Sequence, residues 1–333
     1  MPRAAAETVA GAVNDASGHR PAPTVSVILP TFNRLHFLRA AFESLCAQTF
    51  TDWELVVADD GSEPETRRYL RSLVEPGRVT ILWLPHSGRP AVVRNAALRK
   101  ARGKYVAFLD SDDLWTPNKL QRQIETLRAR LTCLWSYTAF VRVDASGTPL
   151  PEETTRPWVP YEGEIFAEVV TGRASIRTPA VVATRQLIEQ AGAFDEALLS
   201  AEDYDLWMRL ALSSPVAIVD EPLVRVRYHD ENHTRDWQSA YLGRDRSLRR
   251  HQELIGSRHR ALLRRERMRN ALKLAATHAE LGERQGMVRA LCQSLPYSWS
   301  YPQWWASGLK TVLRTQLPRR WLELYRNRRR DAS

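Results

Sequence analysis

Two rhythms of apolar residues run along this chain. From Thr24 to Leu29 they form a β-branched run, which predicts a strand. Leu35, Leu38, Phe42 and Leu45 then recur at helical spacing and predict a helix over 35–47. The alternation continues with a strand over 54–58, a helix from about Pro64, a strand over 79–84, a helix over 90–101 and a strand that ends at Asp110. Four strand–helix units in series predict an α/β fold, with a mostly parallel central sheet covered by helices on both faces.

The pattern changes after Asp110. Thr116 and Pro117 read as the N-cap and first turn of another helix. Strand signal returns over 133–143, ended by the turn Asp144–Gly147. A helix over 204–212 carries the apolar stripe Leu206, Trp207 and Leu210. Beyond about Asp236 the signal is helical, with Arg-rich segments over 259–281 and 285–295 separated by Gly282. The expected organisation is a disordered segment over 1–23, an α/β domain over 24–235 that divides near residue 113, and a basic helical region over 236–333.

Composition sharpens this plan. A chain of 333 residues with 44% hydrophobic content can bury a sizeable core. Cys46, Cys133 and Cys292 are few, scattered and without CxxC spacing, which argues against a disulfide framework or a zinc site. The first residues lack the apolar core of a signal peptide, and no stretch reaches the roughly 18 apolar residues of a membrane span. A cytoplasmic location is expected, either free or peripheral on the inner face of the cell membrane. The net charge of +10 hides an asymmetry: from residue 240 onward there are 21 Lys and Arg against 7 Asp and Glu. The basic end therefore suits an anionic surface, and the remaining charge is mildly acidic.

Candidate chemistry concentrates at strand ends. Asp110, Asp112 and Asp113 follow the fourth strand within four positions, and like charges so placed call for a cation or a fixed positive group. The structural alternative is an acidic loop before a helix. Asp59, Asp60 and Gly61 follow the second strand, and Asp-Gly is also a common turn pair. Neither GxGxxG nor GxxxxGK[ST] follows the first strand, so dehydrogenase-type dinucleotide binding and P-loop chemistry lose their best signal. Pro30, Thr31, Phe32, Asn33 and Arg34 stand there instead.

These residues resemble a known family. The segments 27–34 (VILPTFNR), 57–62 (VADDGS), 91–95 (AVVRN), 108–113 (FLDSDD), 192–196 (GAFDE) and 201–210 (AEDYDLWMRL) are similar, in this order, to the motifs of family 2 glycosyltransferases of the GT-A fold. The resemblance spans about residues 24–230, and it implies a strand over 178–183, before the GAFDE segment. It implies a metal-dependent enzyme that moves a sugar, with inversion, from a nucleotide-diphosphate donor to a hydroxyl. The UDP-sugar is the expected donor and a glycan or lipid-linked molecule the expected acceptor, in cell-surface polysaccharide biosynthesis.

The resemblance also implies roles. Pro30, Thr31, Asn33, Arg34, Asp59, Asp60, Arg94, Asp110 and Asp113 would contact the donor. Asp112 would be the principal ligand of Mg²⁺ or Mn²⁺, with Asp110 and His229 as further ligands. Asp203 would be the general base, with Glu202 and Trp207 in the acceptor pocket. Each has a structural alternative: Arg94 as a solvated helix position, Glu202 and Asp203 as helix-dipole partners, Trp207 as core, and His229 as a structural histidine. The Pro- and Trp-containing stretch 149–163 would form an acceptor-side loop.

At the C-terminus, Trp299, Trp304, Trp305, Trp321 and Tyr325 mix with Arg319, Arg320, Arg326, Arg328, Arg329 and Arg330. That mixture suits a helix lying in an anionic headgroup interface, or a packed helix with a solvated basic end. No nucleic-acid recognition module accompanies the charge, so nucleic acid is not expected as a partner. The alternative function class is a catalytically inactive protein that keeps the fold and binds nucleotide sugars or anionic surfaces.

Overall fold

The computed structural model describes residues 21–151, 158–229, 237–254, 257–300 and 303–314. The first half alternates as the sequence predicts: β1 (Val25–Thr31), α1 (Leu35–Cys46), β2 (Trp53–Asp59), α2 (Pro64–Ser72), β3 (Val79–Trp83), α3 (Pro90–Leu98) and β4 (Tyr105–Phe108). Then follow β5 (Leu114–Trp115), α4 (Lys119–Ala129), β6 (Trp135–Val143), α5 (Phe166–Thr171), a 3₁₀ turn (Thr178–Ala180), β7 (Val181–Thr184), α6 (Arg185–Gln190), α7 (Glu202–Ser213) and β8 (Val216–Arg227). The described C-terminal region is helical: α8 (Trp237–Leu254), α9 (Ser257–Leu281), α10 (Arg284–Ser294) and α11 (Gln303–Arg314).

All eight strands join one sheet in the order β3-β2-β1-β4-β7-β6-β8-β5. Strands β1 to β4 pair in parallel, as βαβ crossovers require. Beyond β4 the sheet becomes mixed: β7 runs antiparallel to both β4 and β6, β6 and β8 are parallel, and β5 is antiparallel to β8.

Burial on both faces explains the uninterrupted apolar strands. Val25, Val27 and Leu29 of β1 pack with Leu38, Ala41 and Leu45 of α1 and with Leu120, Ile124 and Leu127 of α4. Ile28 of the same strand joins the opposite layer, built with Ala91, Val93 and Ala97 of α3 and Leu206, Trp207 and Leu210 of α7. The sheet is thus sandwiched, which fixes the carboxyl ends of β1, β2 and β4 side by side.

Three elements depart from the sequence reading. Thr116 is not an N-cap, because the backbone there pairs with β8: Thr116 N–H donates to the Leu223 carbonyl at 3.0 Å, and α4 starts only at Lys119 with Asn118 as its cap. The strand expected over 178–183 begins three residues late, after a 3₁₀ turn at Pro179. Strand β8 was unread because Asp220, Glu221 and Pro222 interrupt its pattern. Its register against β6 shifts around Ala139 and Pro222, so the chain accommodates them as an irregularity.

Candidate active site

The site lies where β1, β2 and β4 end and α7 begins. After β1, Asn33 and Arg34 both adopt left-handed backbone, with φ of 55° and 56°. Two consecutive non-glycine residues there are strained, and such strain persists only where surrounding contacts hold it. The contacts are present: Asn33 N–H donates to Ser62 Oγ at 2.7 Å, and Glu63 N–H donates to Asn33 Oδ1 at 2.8 Å. The turn directs the Arg34 guanidinium onto Asp112 Oδ2 at 2.7 Å.

The Asp59–Asp60 pair divides its work. Asp59 is fully buried and accepts from Ser62 N–H, at 3.2 and 3.3 Å to its two oxygens, and from Arg67 Nε at 3.1 Å. It holds its own turn, the structural role that Asp-Gly also suggested. Asp60 reaches across to the loop after β3, accepting from Ser87 N–H at 2.8 Å, Ser87 Oγ at 2.9 Å and Gly88 N–H at 2.9 Å. Gly61 has φ of 84°, and a Cβ there would sit 2.9 Å from His86 N, so a side chain is excluded twice over. That close approach sets His86 against Phe32, with ring centroids 4.1 Å apart and both rings partly exposed. This aromatic pair at the mouth of β1 and β2 was not read from the sequence.

Arg94 links the two halves. Only 7% exposed, it donates to Asp110 Oδ1 at 2.8 Å and to Glu202 Oε1 at 2.7 Å. Burial opposes its charge, but the two carboxylates more than compensate and raise its pKa. Burial pushes Asp110 upward against the pull of Arg94, with Asp112 and Asp203 adding repulsion. Glu202 is likewise raised by burial, again against Arg94. The solvated-helix alternative for Arg94 is thereby excluded.

Asp112 faces His229 as well as Arg34, with His229 Nε2 3.1 Å from the same Oδ2. Burial favours its neutral form, yet the His229 hydrogen bond and the Arg34 charge hold it below the usual carboxylate range. Asp113 points elsewhere: it is buried and accepts from Arg227 N–H at 2.8 Å, joining the loop to β8. Burial, then Asp112 and Asp110, push its pKa well up.

Asp203, in the first turn of α7, accepts from Tyr204 N–H at 2.7 Å and from Thr178 Oγ1 at 3.4 Å. Ala201, just before this helix, has φ of 61° and provides the abrupt entry that brings Glu202 and Asp203 to the site. Trp207 does not line the pocket. It is 2% exposed and stacks on Trp135 at 6.2 Å, with Phe108 edge-on at 6.1 Å, so its acceptor assignment gives way to core packing. Pro30 and Thr31 lie within β1, and Thr31 Oγ1 is buried without a hydrogen-bond partner among the described residues.

For a divalent cation, Asp112 and His229 form an oxygen–nitrogen pair, with Oδ2 and Nε2 3.1 Å apart. Asp110 is drawn to Arg94 instead, and no group of three or more His, Cys, Asp or Glu side chains gathers among the described residues. A cation bound here would have Asp112 and His229 as its protein ligands.

Comparisons with known proteins agree with this geometry. Residues 26–168 match the model described as Glycosyl transferase family 2. TuaG of Bacillus subtilis, a glycosyltransferase named for teichuronic acid biosynthesis, is 38% identical over 129 residues, 38% of this chain and 51% of that protein. WfgD of Escherichia coli, a UDP-Glc:α-D-GlcNAc-diphosphoundecaprenol β-1,3-glucosyltransferase, is 40% identical over 103 residues, 31% of this chain and 40% of that protein. The matched stretches thus span about half or less of these two relatives. Among solved structures, S. aureus TarS 1–349 in complex with UDP-GlcNAc superposes with a TM-score of 0.66 at 19% identity, over 91% of this chain and 92% of that one. The mannosyltransferase PcManGT of Pyrobaculum calidifontis, in complex with GDP-Man and Mn²⁺, gives 0.55 at 17% identity, over 89% and 84% of the two chains. With the motifs, the sheet order and these matches in hand, residues 26–168 are similar to family 2 glycosyltransferases, and the chain has the GT-A fold.

Proposed function

We propose that the chain is an inverting, metal-dependent glycosyltransferase that transfers a sugar from a UDP-linked donor to a hydroxyl of a glycan or lipid-linked acceptor of the cell surface. The observation that carries this reading is the Arg94 bridge, which joins the strand-end acids of β4 to the acids of α7 across one cleft. Among the relatives, TuaG is named for teichuronic acid biosynthesis, WfgD for transfer from UDP-Glc to a diphosphoundecaprenol-linked sugar, and TarS is seen in complex with UDP-GlcNAc.

In this reading the Phe32–His86 pair receives the base, and the turn built by Asn33, Asp59 and Asp60 receives the ribose. Asp112 and His229 would hold Mg²⁺ or Mn²⁺ against the diphosphate; when bound, the cation stabilises charge on the departing nucleoside diphosphate. Arg34, on the same carboxylate, adds fixed positive charge there. Asp203 keeps lone pairs free beyond its two hydrogen bonds. It takes the proton of the acceptor hydroxyl as that oxygen bonds to the anomeric carbon and the diphosphate leaves with the bonding electrons.

The C-terminal region supports a peripheral, cytoplasmic-face association. Trp299 is 85% exposed, and Trp305, Leu309 and Val312 form an exposed apolar stripe on α11. No helix among the described residues is long and apolar enough to cross a membrane. Trp304 belongs to the interior, since its Nε1–H donates to Ser294 Oγ at 2.8 Å. The clustered arginines from Arg319 to Arg330, with Trp321 and Tyr325, lie outside the described residues.

A thermal-shift screen of nucleotide sugars with and without Mn²⁺ tests the main reading. A stabilisation by one UDP-sugar that depends on the metal is expected. Indifference to every nucleotide sugar would overturn it, while binding without turnover on any acceptor would favour an inactive binding protein.

A further inference from the structure

The chain enters α7 through a strained residue. Ala201, with φ of 61°, is a non-glycine residue in left-handed backbone immediately before Glu202 and Asp203. Such strain persists only where neighbouring contacts over-determine it. On one flank Asp203 meets Thr178 Oγ1, and the turn around Thr178 is fastened from two sides. Arg177 Nη2 donates to the Tyr228 hydroxyl at 3.2 Å, and Trp115 Nε1–H donates to the Pro179 carbonyl at 2.9 Å. The other flank is the loop from Asp195 to Ala201, and there the partner is α8.

Four residues of α8 lie along this entry. Arg250 Nη1 donates to Asp195 Oδ2 at 2.7 Å, and Arg246 Nη1 donates to the Ala197 carbonyl at 3.0 Å. Gly243 approaches so closely that a Cβ built there would overlap the Ser200 carbonyl. Ser247 Oγ donates to Asp205 Oδ1 at 2.6 Å, in the first turn of α7. Positions 243, 246, 247 and 250 follow the i, i+3, i+4, i+7 spacing of one helix face, so a single stripe of α8 makes all four contacts. The loop runs antiparallel to that stripe, with Asp195 at Arg250 and Ser200 at Gly243. Burial alone does not call for a polar stripe, and glycine weakens a helix interior. Close contact with the loop accounts for both.

We propose that α8 splints the entry to α7, with Gly243, Arg246 and Arg250 as positioning residues that act on Asp203 through the loop Asp195–Ala201. This rests on the glycosyltransferase reading above, in which Asp203 is the base, and adds the first helix of the C-terminal region to the acceptor half. That helix then has a part in transfer separate from any contact of α11 with a surface. The leverage is large, because a misplacement of about 1 Å at a reacting group can cost on the order of 10²-fold in rate.

The test compares the full chain with G243A, with the double variant R246Q/R250Q, and with R246Q/R250K. Titration calorimetry with the UDP-sugar selected by the metal-dependent screen gives donor affinity. Steady-state kinetics on octyl GlcNAc and on a short-alkyl GlcNAc diphosphate give transfer, and hydrogen exchange of peptides spanning 195–206 reads the loop. G243A should lower kcat per folded molecule about 10- to 100-fold, and R246Q/R250Q about fivefold or more. In both, donor Kd and acceptor KM should stay within about twofold of wild type, and exchange should quicken over 195–206 but not over β1 to β4. R246Q/R250K, which keeps a donor for Asp195, should recover part of the rate. Arg246 and Arg250 are exposed, so the arginine variants carry the test even where G243A does not fold. With an active wild type, the proposal is overturned if R246Q/R250Q keeps the wild-type kcat or leaves exchange over 195–206 unchanged. It is equally overturned if donor affinity falls by the same factor as kcat. A wild type that transfers no sugar, with variants that still loosen 195–206, would support the splint and overturn the glycosyltransferase reading instead.

Discussion

The two halves of the sheet deliver their acids in different ways. In the parallel half, Asp59, Asp60, Asp110 and Asp112 stand within four residues of a strand end, so the strand sets where each acid enters the site and partners such as Ser87, Arg94 and His229 then orient it. In the mixed half, Glu202 and Asp203 are placed by contacts far away in sequence. Glu202 is held by Arg94, 108 positions earlier, and Asp203 by Thr178, 25 positions earlier. The acids of one half are thus positioned by a strand end and those of the other by a helix start docked through tertiary contacts, which predicts that they respond differently to substitution.

The sharpest break should come at Asp203. Asp203→Asn is expected to slow transfer by on the order of 10²- to 10⁴-fold while the donor binds normally. Single-turnover rates set beside donor titration check this; loss of donor affinity with a preserved rate would move Asp203 into the donor half.

Arg94→Met should break the link between the halves. It leaves Asp110 and Glu202 buried without their counter-charge, a loss expected to be about 3–5 kcal/mol. Urea unfolding measures it, and a stability change near zero would show that the bridge does not couple the two halves.

A third variant compares α7 with the helical region that follows the sheet. Asp205, two residues past Asp203, is fully buried and joins α7 to α8: Ser247 Oγ donates to it at 2.6 Å and His251 Nε2 lies 3.2 Å away, with Arg209 at 2.6 Å. Burial raises its pKa, but His251, Arg209 and Ser247 prevail and hold it well below the ordinary carboxylate value. The folded state therefore binds this proton less readily than the unfolded chain. Its contribution is present above the unfolded pKa of about 3.9 and is lost as pH falls through that value toward the folded one. Asp205→Asn should cost about 3 kcal/mol at pH 7, with a difference from wild type that shrinks below about pH 4. A pH-independent difference would contradict the ionic role.

The smallest effect on turnover is expected at the exposed stripe of α11. Trp305→Glu with Leu309→Glu should abolish sedimentation with anionic liposomes, leave transfer to a short soluble acceptor intact, and leave the packed Trp304 in place. Sedimentation that is insensitive to these changes and to lipid charge would return the stripe to a packing role.

The same contrast explains what the sequence reveals. Strands β1 to β4 and helices α1 to α3 were legible because uninterrupted apolar runs and helical spacing are local signals. So were the acids at their ends. The role of Asp59 was not, since only the structure shows Arg67 and Ser62 N–H on its carboxylate. Trp207 reads the same whether it faces a sugar or a core; burial between Trp135 and Phe108 decides it. The Phe32–His86 pair and the Arg177–Tyr228 contact span 54 and 51 positions, distances over which periodicity carries no information. Gly61 was the one available clue to the first, because it marks where the His86 backbone comes close.

The division of labour between donor and acceptor halves is tested most directly by calorimetric titration of the UDP-sugar identified in the screen, in Mn²⁺, against wild type, Asp112→Asn and Asp203→Asn. Asp112→Asn should lose most of the metal-dependent affinity, and Asp203→Asn should bind like the wild type. Equal affinities for all three proteins, or a loss confined to Asp203→Asn, would contradict it.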